Sequence, residues 1–188
     1  MTDDEVLAEF RDAEALLEGH FVLSSGLHSA AYLQCARVLQ APARAARLAE
    51  ALAARITQPV DIVVSPAMGG VIIGHELGRA LGVDALFLER PSGTFELRRG
   101  FRLAPGQRVL LVEDVVTTGL SSREAMTAVE REGGRVVAAC ALVDRSSGRA
   151  EFAVPFTALL KLSIPTYEAD ALPPDLAALP AVKPGSRR

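Results

Sequence analysis

Residues 109–121, Val-Leu-Leu-Val-Glu-Asp-Val-Val-Thr-Thr-Gly-Leu-Ser, constrain the fold of this chain more than any other stretch. An apolar run ends in two adjacent acids, a short Thr/Gly/Ser turn follows, and a helical pattern begins at residue 122. Such a run reads as a strand buried on both faces, the kind found inside parallel sheets. Those sheets gather their chemistry at the carboxyl ends of the strands, where Glu113 and Asp114 fall. The segment Val115, Val116, Thr117, Thr118, Gly119, Leu120, Ser121 then turns into the helix. There it can aim backbone N–H groups and hydroxyls at a phosphate, helped by the positive end of that helix. Acids beside a phosphate cradle become coherent once a sugar is added. Carboxylates accept hydrogen bonds from ribose hydroxyls, while the cradle takes the 5′-phosphate. The pattern points to a ribose-phosphate site; the plainer alternative is a strand–turn–helix with a solvated acidic end. Neither a Gly-x-Gly-x-x-Gly fingerprint nor a Gly-Lys-Ser/Thr loop is present.

The rest of the chain supplies the elements such a sheet needs. Periodicity predicts a helix over 3–18 with Gly19 as its stop, then short strands at 21–23 and 31–33. A helix over 42–55 opens at Pro42. Strand 61–65, helix 71–81 and strand 85–88 follow, and after the central strand and helix come a strand at 135–143 and a further one within 152–162. This alternation predicts an α/β fold with a central, mostly parallel sheet and right-handed crossovers. A length of 188 residues suits one domain.

Composition excludes several classes of function. No apolar stretch approaches the ~20 residues of a membrane span. The acidic start, Met1-Thr-Asp-Asp-Glu, is neither a secretory signal nor a transit peptide, so a cytoplasmic location is expected. A net charge of −3 gives no support to nucleic-acid binding. Cys35 and Cys140 belong to no Cys-x-x-Cys pair and read as reduced, buried thiols. His20, His28 and His75 lack metal-ligand spacing. Of 20 basic residues 18 are arginine, and the lysines are Lys161 and Lys183, which excludes any mechanism needing an earlier lysine.

Four other segments carry candidate chemistry. Ala67-Met68-Gly69-Gly70 follows a predicted strand; its glycines free successive N–H groups for an anion, or simply shape a turn. Residues 19–32 read on composition as a surface hairpin with a Ser-Ser-Gly turn. Residues 88–100 separate two strands, either as a long hairpin or as a lid that excludes water. Arg145 follows a strand end, where it can pair with Asp144 or face a ligand carboxylate bidentately.

Residues 109–121 closely resemble the diphosphate-sugar signature of the type I phosphoribosyltransferases, and the Phe-x-Leu-x-Ser-Gly-x-x-Ser-x-x-Tyr pattern near the N-terminus resembles the hood of the orotate-specific branch. The resemblance implies that Glu113 and Asp114 bind the ribose hydroxyls of phosphoribosyl pyrophosphate (PRPP). Thr117, Thr118, Gly119 and Ser121 would take its 5′-phosphate, and Met68, Gly69 and Gly70 would form a pyrophosphate loop, often with a non-proline cis peptide. It implies a hood from about 1–40 with part of the C-terminal region, over a core of about 41–165. Ser24, Tyr32, Leu33, Thr117 and Arg145 would meet orotate, Arg145 through the carboxylate. Lysines common in relatives are replaced by Ser24 and Gly69. Loop 89–100 is expected to act on the neighbouring subunit of a homodimer: Arg90 matches the family's arginine there, the usual lysine and histidine are absent with Pro91 at one lysine position, and Arg98 and Arg99 would neutralise the leaving pyrophosphate instead. Mg²⁺ would be held through PRPP, with Glu113 and Asp114 assisting indirectly. The implied activity is orotate phosphoribosyl transfer; a purine or uracil transferase and a non-catalytic PRPP-sensing regulator are the alternatives.

Overall fold

The computed structural model describes residues 1–23 and 26–183. Helix α1 (Asp3–Asp12) starts with a capping box: Thr2 Oγ1 accepts from the Glu5 N–H, and the Glu5 carboxylate accepts from the Thr2 N–H at 2.8 Å. The helix stops well short of residue 18. Glu14 turns the chain at φ 49°, and Leu16 and Leu17 pair with Leu33 and Tyr32 between β1 (Leu16–Val22) and β2 (His28–Leu33). A Leu-Leu pair satisfies either periodicity, so the partner strand decides. Gly19 lies inside β1, at φ 152°, where the register slips between Glu18 and Phe21; it serves a bulge and stops no helix.

After α2 (Cys35–Leu39), which periodicity did not predict, α3 (Pro42–Ala53) leads into the main sheet. There β3 (Ile62–Pro66), α4 (Gly70–Leu81), β4 (Asp84–Glu89), β5 (Glu96–Leu97), β6 (Arg108–Val116), α5 (Leu120–Arg131), β7 (Arg135–Asp144) and β8 (Phe156–Lys161) follow in turn. Six strands order as β5-β4-β3-β6-β7-β8, parallel except for β5. The chain moves one way from β3 to β4 and the opposite way from β6 to β7. The switch point, the ligand crevice of open α/β sheets, therefore lies between the carboxyl ends of β3 and β6.

Adjacent β6 residues serve opposite faces. Leu110 packs with α1, α3 and α4 side chains, and Leu111 with those of α5. Each is essentially fully buried, contributing about 2 kcal/mol of hydrophobic stabilisation. Helix α4 lies close on the sheet because its buried face carries glycines beside Ile73 and Leu77: a Cβ at Gly74 would sit 2.7 Å from Ser65 Oγ, and one at Gly70 3.0 Å from Ser65 Cβ.

A second sheet, ordered β10-β1-β2-β9, joins both ends of the chain, with β9 (Thr166–Tyr167) and β10 (Ala181–Val182) flanking α6 (Pro174–Ala177). Phe21 in β1 pairs with Val182, and Ser29 in β2 with Thr166. Leu176 of α6 is buried, and His20 contacts the Leu179 carbonyl at 3.0 Å. Among the described residues no helix is long and apolar enough to cross a membrane.

Candidate active site

Strand β6 delivers Glu113 and Asp114 to the switch point. Glu113 is only 7% exposed, and burial pushes its carboxyl up to about 7, with the neighbouring Asp114 adding to the rise. A hydrogen bond from Ser121 and the charge of Arg90 oppose it. Burial raises Asp114 too, against backbone N–H bonds from Val115 (2.9 Å to Oδ1) and from Asp114 itself. Across the switch point the two loops meet. A Cβ at Gly69 would lie 2.6 Å from Asp114 Oδ2, so the carboxylate occupies the place of a residue-69 side chain. The Ala67–Met68 peptide is cis, and Met68 is exposed.

The turn after Val115 and Val116 needs its glycine twice. Gly119 has φ 73°, and a Cβ there would fall 2.9 Å from Arg123 Nη1 and 3.1 Å from Phe152. Thr117, Thr118, Leu120 and Ser121 stay exposed around it. Arg123 braces the turn from behind, donating to the Thr118 carbonyl at 3.2 Å and to the Glu151 carbonyl at 3.4 Å.

Thr117 and Thr118 open onto a cleft of about 790 Å³, roofed by Val22 and Tyr32 of the small sheet with Leu23 and Leu27 beside them, and bordered by Ile164 and Thr166. Arg145 and Arg149 also line it. Arg145 does not pair with Asp144, whose buried carboxylate accepts the Ser146 N–H at 2.8 Å. Its Nε is buried with no partner among the described residues, and burial lowers its pKa, against the effect of the nearby Cys35. A desolvated guanidinium with an open N–H suits a planar anion. Leu33 packs into the core, pairs with Leu16 and does not line the cleft; Ser24 lies outside the described residues.

Loop 89–100 folds over its own α5. Phe95 is buried there, held by Arg131 donating to its carbonyl at 2.8 Å. The Arg90 guanidinium sits 4.0 Å from the Phe95 ring centroid and pairs with Glu124. Arg99 and Arg98 pair with Glu89 at 3.0 and 4.0 Å, and neither lines the cleft. Among the arginines of this loop, Arg90 alone reaches Glu113 electrostatically.

A family profile described as "Phosphoribosyl transferase domain" matches residues 34–168. The orotate phosphoribosyltransferase of Rhizorhabdus wittichii is 71% identical over 191 residues, covering 100% of this chain and 97% of that protein. The chain belongs to the orotate phosphoribosyltransferase family. Among solved structures, the orotate phosphoribosyltransferase of Aeropyrum pernix matches at TM-score 0.68 and 26% identity, over 84% of this chain and 93% of that one. Leishmania donovani UMP synthase shares the fold at TM-score 0.71 and 23% identity, over 86% of this chain and 37% of that longer one. The α/β fold with a mostly parallel central sheet is that of the phosphoribosyltransferases.

Within this orotate phosphoribosyltransferase fold, sequence reasoning missed Arg123, Arg149, Ile164 and Thr166. Arg123 had a signal: four residues beyond Gly119 on a helix, it faces back over the turn. Ile164 and Thr166 had none, because they reach the cleft only through the pairing of β9 with β2.

Proposed function

We propose that this enzyme transfers the phosphoribosyl group of PRPP to N1 of orotate, giving orotidine 5′-monophosphate and pyrophosphate in pyrimidine nucleotide synthesis. The observation that carries the reading is the open, buried Nε of Arg145 in the same cleft as Thr117 and Thr118. One wall can take a carboxylate, and the other a phosphate. The N1 lone pair of orotate attacks the anomeric carbon as the C1′–O bond to pyrophosphate breaks; the bonding pair leaves with the pyrophosphate oxygen, and the N1 proton passes to the departing pyrophosphate or to solvent. Glu113 and Asp114 accept from the ribose hydroxyls, and the turn from Thr117 to Ser121 holds the 5′-phosphate. Tyr32 positions the ring under the roof. The N–H groups around Met68, Gly69 and Gly70 face the departing pyrophosphate, with Arg90, Arg98 and Arg99 supplying charge when the loop closes. Arginine stabilises that charge but donates no proton, so catalysis comes from positioning and electrostatics.

The carboxylates of Glu113 and Asp114 are the hard oxygen donors that Mg²⁺ takes, and they would hold it through water and ribose hydroxyls while it neutralises pyrophosphate charge. Support for one cooperating domain, the small sheet acting as a hood, comes from the shared cleft. A homodimer with loop 89–100 serving the partner's site, and a cytoplasmic location suited to the buried free thiols Cys35 and Cys140, complete the reading.

The test is loss of orotate absorbance on adding PRPP and Mg²⁺ to purified protein. Magnesium-dependent consumption is expected. Consumption of adenine or uracil in place of orotate would move the acceptor assignment, and PRPP binding without any turnover would leave a sensor.

A further inference from the structure

We propose that Arg149 is a second cation of the ribose-phosphate site, binding the 5′-phosphate of PRPP and of the nucleotide product beside the Thr117–Thr118 turn. This rests on the reading above and deepens it. The turn that carries Arg149 is built tightly. Asp144 Oδ1 accepts the Ser146 N–H at 2.8 Å, and the buried Ser146 Oγ accepts the Gly148 N–H at 3.2 Å. The Ser146 carbonyl accepts both the backbone N–H and the Nε–H of Arg149, each at 3.1 Å. One edge of the guanidinium is thereby tethered. No carboxylate pairs with its outer nitrogens among the described residues, whereas Arg90, Arg98, Arg99 and Arg108 all face acids. Arg149 lines the ligand cleft, as Arg145 does.

Position separates the work of the two arginines. The residue after Arg149 presses on the phosphate turn: Ala150 Cβ lies 3.2 Å from where a Cβ on Gly119 would stand. Arg123 ties the same two segments through the carbonyls of Thr118 and Glu151. Arg145 is half-buried at the start of the loop, and Arg149, four residues on, is exposed and lines the same cleft as Thr117 and Thr118. A phosphate carries more charge than a helix N-terminus offsets, and a partly tethered arginine fork matches its oxygens.

The test titrates ribose 5-phosphate, which bears the phosphate but no orotate, into the unmutated enzyme, Arg149→Ala and Arg149→Lys. Arg149→Ala should weaken binding about tenfold or more, as removal of a charge-assisted hydrogen bond does. Lysine should restore part of the affinity, and the orotate KM at saturating PRPP should stay within about twofold. Unchanged ribose 5-phosphate affinity, or a rise in orotate KM alone, overturns the assignment even if the unmutated enzyme consumes orotate normally. Conversely, loss of ribose 5-phosphate binding in Arg149→Ala, with no orotate turnover in the unmutated protein, sinks the acceptor reading and keeps the phosphate assignment. If the unmutated enzyme binds no ribose 5-phosphate, both fall.

Discussion

The floor and the roof of the cleft are made in opposite ways. The floor is local: β6, its acids, the turn and α5 are one run of sequence, and their geometry follows from the order of residues. The roof is assembled from β1 and β2 near one end and β9 and β10 near the other, joined by pairings such as Phe21 with Val182. The floor sits on a sheet buried on both faces, whereas the roof's outer strands are two residues long. On the proposed function the floor takes the sugar and phosphate, and the roof covers the base. Floor substitutions should therefore act on PRPP, and roof substitutions on orotate.

Arg145, where the two parts meet, gives the largest expected effect. Arg145→Ala should raise the orotate KM roughly a hundredfold, about 2–3 kcal/mol for a charge-assisted bidentate contact, with ribose 5-phosphate binding nearly unchanged. Equal loss of both ligands would erase the division between floor and roof.

Glu113→Gln tests the floor through pH. The Glu113 carboxyl rises from an ordinary value of 4.5 to about 7 in the fold, so between those limits the folded state binds more protons than the unfolded one. Its ionisation thus costs stability as pH rises through that window, and the cost is complete above about 7. Glutamine cannot ionise. The variant should gain stability over the parent between pH 5 and 8, on the order of 3 kcal/mol, seen as a widening Tm difference. Above pH 7 it should also bind PRPP about tenfold more weakly, having lost a charged acceptor. A constant Tm difference would show that Glu113 is solvated.

Smaller effects are expected from loop 89–100 and the roof. Replacing Arg98 and Arg99 together by alanine should cut turnover about tenfold while Tm barely moves, since exposed pairs contribute ~0–1 kcal/mol. A normal turnover would leave Arg90 as the one arginine of loop 89–100 that turnover needs. Leu176→Ala removes the buried anchor of α6, costing about 2 kcal/mol locally. It should raise the orotate KM about threefold and leave the PRPP KM unmoved; the reverse pattern would break the comparison.

The contrast also explains what could be read in advance. The acids, the glycine turn and the strand–helix alternation of the main sheet are set by neighbours in sequence, and periodicity finds them. Leu16 and Leu17 were ambiguous until β2 claimed them as strand residues. The tail gave no periodic signal because its two short strands exist only through partners far away in sequence. Arg149 was hidden differently: one exposed arginine among 18 acquires meaning only when Ser146 and Gly148 turn it toward the cleft.

The close approach of Gly69 to Asp114 has an evolutionary consequence. With the Asp114 carboxylate resting where a side chain would stand, any side chain at position 69 requires that carboxylate to shift. A lysine introduced at 69 meets the carboxylate at once and must either push it to another rotamer or be rejected. Moving between a glycine and a lysine loop is then a joint change, in which the acid is repositioned before, or together with, the new cation. Descendants of this chain should keep the glycine for as long as Asp114 keeps its present rotamer.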